Sequence, residues 1–174
     1  MKKIFVVLVA LTLLVTPYAQ AKTCSGGVCN YIDTNPSFET SPSHGTSWSY
    51  DPGVTFVQEY ACTSGSWVAS LDNGEAIWRF PYIDAAYSNF KLTFKAYLPG
   101  STNNFYDELK VTVKNNSTQV TETYYVHGNS APGCTLVNFV LANDYDYTNT
   151  TVVFESGGFS THAWQIDDVS FLAW

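Results

Sequence analysis

Phe90-Lys91-Leu92-Thr93-Phe94-Lys95-Ala96-Tyr97 alternates apolar and polar residues without a break. Phe90, Leu92, Phe94 and Ala96 fall on one side, and Lys91, Thr93, Lys95 and Tyr97 on the other. A period of two places every second side chain on one face of an extended chain, so this is a strand with one face buried. Leu109, Val111 and Val113 alternate with Lys110, Thr112 and Lys114 in the same way. Working outward, strands are expected at 54–57, 67–71, 75–80, 120–126, 136–141, 151–154 and 164–172. Turn chemistry separates them at Asp72-Asn73-Gly74, Pro99-Gly100, Asn115-Asn116, Pro132-Gly133 and Gly157-Gly158. No stretch beyond the amino-terminal segment keeps a helical repeat. About nine short strands at even spacing predict an all-β chain: a two-sheet antiparallel β-sandwich or a barrel. The Gly-, Ser- and Cys-rich segment from Lys22 to about Ile32 is expected to be an entry strap outside the core, and Asp107-Glu108 a solvated turn.

The amino terminus has the order of an export signal. Lys2 and Lys3 precede an apolar run from Ile4 to Val15, Pro17 interrupts it, and Ala19-Gln20-Ala21 supplies small residues for a peptidase. Residues 1–21 are therefore expected to be a cleaved signal peptide of bacterial appearance, and 22–174 a single secreted domain. The apolar run falls short of the ~20 residues that cross a bilayer, so no membrane insertion is expected after cleavage. The whole chain carries a formal charge of −7. Without Lys2 and Lys3, six basic residues face fifteen acidic ones, a charge of −9. Such a surface cannot track phosphates, which excludes nucleic acid as a partner and disfavours anionic membranes. Four cysteines, Cys24, Cys29, Cys62 and Cys134, are an even count in an exported chain and imply two disulfides, with three pairings open. Their scatter does not fit a zinc ribbon. The closeness of Cys24 to Cys29 favours a local loop, leaving Cys62 and Cys134 for a long-range bridge.

Two signatures stand near the ends of residues 22–174. Asn35-Pro36-Ser37-Phe38-Glu39, followed by Trp48, opens the domain, and Trp164-Gln165-Ile166-Asp167-Asp168-Val169-Ser170-Phe171 closes it. This N-x-x-F-E opening and I-D-D-V-S-F close resemble the galactose-binding-domain-like jelly rolls. Within that group the chain looks most like the carbohydrate-binding modules of bacterial glycoside hydrolases, and more loosely like MAM adhesion domains. The resemblance covers essentially the whole of residues 22–174 and implies jelly-roll topology. It also implies a structural calcium site where the first and last strands meet, with Glu39 and Asp167 as ligands and Asp168 beside them. Ca²⁺ takes six to eight oxygen ligands, which carboxylates and turn carbonyls from distant segments supply. In the closing strand Ile166 is expected to face the core and Asp167 to point away, unless a bulge intervenes.

No catalytic motif is present. The chain has no G-x-S-x-G elbow and no H-E-x-x-H helix, and His44, His127 and His162 stand apart from any identifiable nucleophile. Fifteen acids guarantee carboxylate pairs by chance, so no glycoside-hydrolase pair is singled out. The chain is expected not to be an enzyme. Aromatics carry more information, with five Trp, twelve Tyr and eleven Phe. Sugar rings stack their C–H faces on aromatic rings while their hydroxyls bond to Asn, Asp and Arg side chains. Trp48 and Trp164 lie inside the two signatures and are expected to be structural. The candidate platform is Trp67, Trp78, Tyr106 and Tyr145, with Asn104, Arg79 and Asp146 as polar partners. The expected function is secreted, non-catalytic recognition of a glycan or cell-surface polysaccharide. The alternative is a structural or adhesive extracellular protein whose partner is a protein or a cell-surface polymer.

Overall fold

A computed structural model of the chain describes residues 22–32, 36–40, 44–45, 47–58, 67–83, 87–100, 106–128, 133–142, 149–158 and 162–174. Twelve strands run through them: β1 (Thr23–Ser25), β2 (Val28–Asn30), β3 (Ser49–Tyr50), β4 (Thr55–Gln58), β5 (Trp67–Leu71), β6 (Ala76–Arg79), β7 (Phe90–Tyr97), β8 (Asp107–Asn115), β9 (Thr121–His127), β10 (Thr135–Leu141), β11 (Thr150–Gly158) and β12 (Trp164–Ala173). The alternation at 90–97 sets the bounds of β7 without correction. Leu92, Phe94 and Ala96 are fully buried, and Lys91, Thr93, Lys95 and Tyr97 are partly exposed.

Two antiparallel sheets form. In the first, β1-β2-β12-β5-β4 run side by side, and β7 lies along the other edge of β12 with β10 outside it. The second is β3-β6-β11-β8-β9. From β6 to β8 and from β9 to β12 the chain changes sheet at each connection, the winding of a jelly roll. The inner faces share one core. Phe94 of β7 meets Phe154 of β11 edge to face at 4.9 Å, and Tyr124 of β9 stacks on Phe139 of β10 at 4.2 Å where the sandwich opens. Burying each such side chain contributes ~1.5–3 kcal/mol, which orders the facing strands.

Three expectations need correction, and one holds. The segment 22–32 is not a strap outside the sheet: β1 and β2 form a hairpin about Gly26 and Gly27, both at positive φ, and β2 pairs with the end of β12. Asp107-Glu108 is not a solvated turn but the start of β8. Asp107 is 1% exposed, and neither of its carboxylate oxygens has a hydrogen-bond partner. The expected alternation of Ile166 and Asp167 holds, since Ile166 pairs with Ala96 and Asp167 with Lys95 in unbroken register with β7; the register shifts only after Asp167, before Ser170, and Asp167 is buried on the face opposite Ile166. Asp168 takes a φ of 49° within that bulge, and both Ile166 and Asp167 are fully buried. Arg79, named as a surface partner for sugar, is 2% exposed and sits over the Trp48 ring at 5.6 Å. Its neighbours alternate inward and outward along β6, and its place in that order is inward.

Candidate functional site

The bulge in β12 leaves a gap between β5, which pairs with Trp164–Ile166, and β2, which pairs with Leu172–Ala173. The opening signature fills it. Val169 donates its backbone N–H to the Pro36 carbonyl at 3.1 Å, and the Ser37 hydroxyl donates to Asp168. Phe38 is buried against Trp48 and Phe56 with ring centroids at 5.3 and 5.6 Å. Glu39 accepts the backbone N–H of Trp67 at 2.8 Å. The two end signatures are therefore one structural unit, as their resemblance to the jelly rolls implies.

Asp167 is the strained member of this unit. One carboxylate oxygen accepts the Asp168 backbone N–H at 2.8 Å, and the other is buried without a hydrogen-bond partner. Burial, with the Asp168 charge next, pushes Asp167 up to about 7, and Glu39 adds to the same push. Lys95 works against it from its ion pair with Asp168, Nζ to Oδ2 at 2.6 Å. A buried oxygen with no donor, under negative potential from two more carboxylates, is a position that a hard cation fits. Among the described residues no group of three His, Cys, Asp or Glu side chains is placed to hold a metal ion together. A cation held here would take backbone carbonyls or water for the rest of its shell.

The second feature is the outer face of the five-stranded sheet. Register sets its rows. Trp78 of β6 lies beside Val153 of β11, Thr112 of β8 and Thr123 of β9. The next row is Ala76, Glu155, Lys110 and Tyr125, followed by Gly157, Glu108 and His127. Trp78 belongs to the outward set of β6, and Tyr125 is 52% exposed. They stand three strand spacings and one row apart, ~16 Å on the diagonal, a span that a short oligosaccharide covers. The floor between them holds one ion pair, and a Glu108–His127 contact lies in the row beyond Tyr125. Lys110 binds Glu155 at 2.9 Å, and His127 Nδ1 lies 3.5 Å from Glu108. The hydrogen bond and charge of Glu155 hold the Lys110 ammonium above its ordinary pKa, so it stays a fixed donor. Gly157 has no side chain in the last row, which lowers the floor there.

The residues singled out from sequence divide accordingly. Trp78 lies on this face. Tyr106, 72% exposed, immediately precedes β8 at the end where Glu108 and His127 pair. Trp67 is not part of it. Trp67 lies in the other sheet, half-buried against the core with the His44 ring stacked on it at 3.7 Å. Arg79 lies beneath the face, in the core. Asn104, Tyr145, Asp146 and Cys62 lie outside the described residues. Cys24 and Cys29 are disulfide-bonded to each other, and Cys134 is also held in a disulfide. Sequence reasoning passed over Phe80, Tyr82, Tyr125, Lys110 and Glu155. Phe80 and Tyr82 had a legible signal, because Trp78, Phe80 and Tyr82 keep the strand period; Tyr125 did not, because its face depends on the register of β9.

No protein-family model matches the sequence, and no curated protein matches it either. Solved structures do. A module designated TmCBM61, solved with β-1,4-galactotriose, aligns with a TM-score of 0.58 at 15% identity, over 83% of this chain and 99% of that one. The CBM22-1 xylan-binding domain of Xyn10C from Paenibacillus barcinonensis aligns with a TM-score of 0.52 at 15% identity, over 78% and 89% of the two chains. The enzymatically active domain of bacteriophage CBA120 tailspike protein 4 aligns with a TM-score of 0.59 at 12% identity, over 82% of this chain but 21% of that one. The fold is thus the galactose-binding-like jelly roll that carbohydrate-binding modules share. Likeness at this identity concerns the fold, and one fold hosts many functions.

Proposed function

We propose that this chain is a secreted, non-catalytic glycan-binding module that uses the outer face of its five-stranded sheet, with Trp78 and Tyr125 as stacking residues. The observation that carries the reading is the pairing of these two outward aromatics across a floor of fixed polar groups. Stacking supplies affinity with little directionality, while Lys110, Glu155, Glu108 and Thr112 set the orientation of hydroxyls. The modules with this fold that were solved with galactotriose or named for xylan support the choice of ligand class. Export rests on the amino-terminal signal and suits a domain with a disulfide. In the same reading a structural calcium ion sits on the unpartnered oxygen of Asp167, with Glu39 and Asp168 adding negative potential and backbone carbonyls or water completing its shell, and it keeps Asp167 ionised. A glycan array probed with the wild-type protein and with Tyr125→Ala tests the function. Signal on microbial or plant polysaccharides that Tyr125→Ala removes supports it. A folded protein that binds none of them favours the adhesive alternative.

A further inference from the structure

A second buried carboxylate stands apart from the Asp167 unit. Along β8, Asp107, Leu109, Val111 and Val113 face inward, so Asp107 closes the inner face of the five-stranded sheet at one end of the core. It is 1% exposed, and both of its carboxylate oxygens lack a hydrogen-bond donor. Its row leaves room around it. Gly158 pairs with Asp107 on β11, and on the other side Gly128 follows the His127 that pairs with Glu108. Neither neighbour has a side chain. Ser156, two residues before Gly158, is also inward and fully buried, and its hydroxyl has no partner. The Cβ atoms of Asp107 and Ser156 are diagonal neighbours across the strand pair, ~7 Å apart. The Ser156 backbone is fixed, because it accepts the N–H of Gly74 at 2.7 Å and donates to the Glu75 carbonyl at 2.9 Å. Trp164 is fully buried beside Leu71, whose strand runs on into that same turn, and its Nε1–H is a third group without a partner.

We propose that Asp107 and Ser156 hold a calcium ion inside this end of the sandwich, separate from the position at Asp167 and independent of glycan binding. A hydroxyl that touches a carboxylate donates to it. Here the two do not meet, which leaves space between their oxygens for an ion that bridges both. Charge decides between an ion and a water molecule. Water satisfies the lone pairs but leaves a buried negative charge uncancelled. Among the described residues no Lys, Arg or His side chain reaches the Asp107 oxygens. Lys110, Lys114 and His127 lie on the outer face of the sheet. Arg79, its inward cation, lies beside Val152 and Val113, ~20 Å along β8 from Asp107. The donors are hard oxygens on a strand pair that imposes no octahedral cage, which suits Ca²⁺ better than Mg²⁺. Asp107 offers both oxygens and Ser156 its hydroxyl. Backbone carbonyls or water complete the shell, one water accepting the Trp164 N–H. With a single carboxylate in the shell, the affinity falls in the weak class of extracellular modules, roughly 1 mM.

Calcium titration of the melting temperature in the Asp167→Asn protein tests this, because that variant removes the position at Asp167 and leaves the one at Asp107. In metal-stripped Asp167→Asn, calcium raised to about 10 mM should lift the melting temperature by about 3–6 °C, and equal magnesium should do much less. Adding Asp107→Asn should abolish the calcium response without lowering the melting temperature in chelator, since Asn keeps the shape and no hydrogen bond is lost. Ser156→Ala, in the Asp167→Asn background, should move the calcium midpoint about tenfold upward. That variant carries the test by itself if the double aspartate variant does not fold. A melting temperature of Asp167→Asn that ignores calcium would overturn the site at Asp107 and leave the case at Asp167 untouched. Equal calcium responses with and without Asp107→Asn or Ser156→Ala would overturn it as well. An equal response to magnesium would do the same, because it would mark screening of the chain's negative charge instead of a site.

Discussion

Asp167 and Trp48 illustrate two ways in which a single residue matters here. For Asp167, the buried carboxyl in the metal-free protein has a pKa of about 7 against an ordinary value of 3.8. The folded state thus holds a proton that the unfolded chain has released. This stabilisation is complete below about pH 4 and is lost as the pH climbs towards 7, a swing of at most about 4 kcal/mol. In excess chelator, Asp167→Asn should match the wild type below about pH 4 and exceed it in melting temperature at pH 8. Added calcium should reverse that order, because only the wild type gains by binding at this carboxylate. A gap between the two proteins that ignores both pH and calcium would remove the case for a cation at Asp167. Trp48, buried against Phe38 and Arg79, is structural by contrast, and Trp48→Ala should cost about 3–5 kcal/mol of stability. Trp78→Ala should leave chemical denaturation nearly unchanged and lower only ligand binding. A large loss of stability in Trp78→Ala would mean that its ring belongs to the core.

At the scale of the element, strands with strict alternation were legible from sequence. Phe90–Tyr97 needed no correction, and Trp67–Leu71 kept both bounds. The interior of β8 was read correctly, but its first turn of pairing was not, because Asp107 and Glu108 look like loop residues by composition. Strands of two or three residues carry no period, so β1, β2 and β3 could not be seen. The bulge in β12 was also beyond pattern reading. Two aspartates in an apolar strand leave room for a bulge, but its place after Asp167 emerges only from the pairing of β12 with β7. The candidate face followed the same rule: Trp78 was found on its own strand, whereas Tyr125 emerged only from the pairing of β9 with β8. One prediction belongs here. The Cys24–Cys29 bridge closes a loop of only a few residues, so Cys24→Ser with Cys29→Ser should cost about 2 kcal/mol. The bridge at Cys134, if it reaches as far as Cys62, should be worth ~4 kcal/mol, and peptide mapping without reduction identifies its partner. The short bridge should matter chiefly to β2, whose protection from hydrogen exchange at Val28–Asn30 should fall first.

On the scale of the whole molecule, the sandwich separates two tasks. The seven-stranded sheet gathers both ends of the domain and carries the carboxylate unit, while the five-stranded sheet presents an outer face of aromatics and paired charges. Among the described residues no helix is long and apolar enough to cross a membrane. Processing of the signal should release a chain beginning at Lys22, which amino-terminal sequencing of the exported protein checks; an intact Met1 on membrane-bound material would contradict it. The central claim is that the aromatic face binds glycan. Isothermal titration of the wild-type protein and of Tyr125→Ala, with the polysaccharide that gives the strongest array signal, tests it most directly. The account predicts saturable, exothermic binding by the wild type and a loss of at least about tenfold in Tyr125→Ala, or ~1.4 kcal/mol, at an unchanged melting temperature. Equal affinity in the two proteins would contradict it.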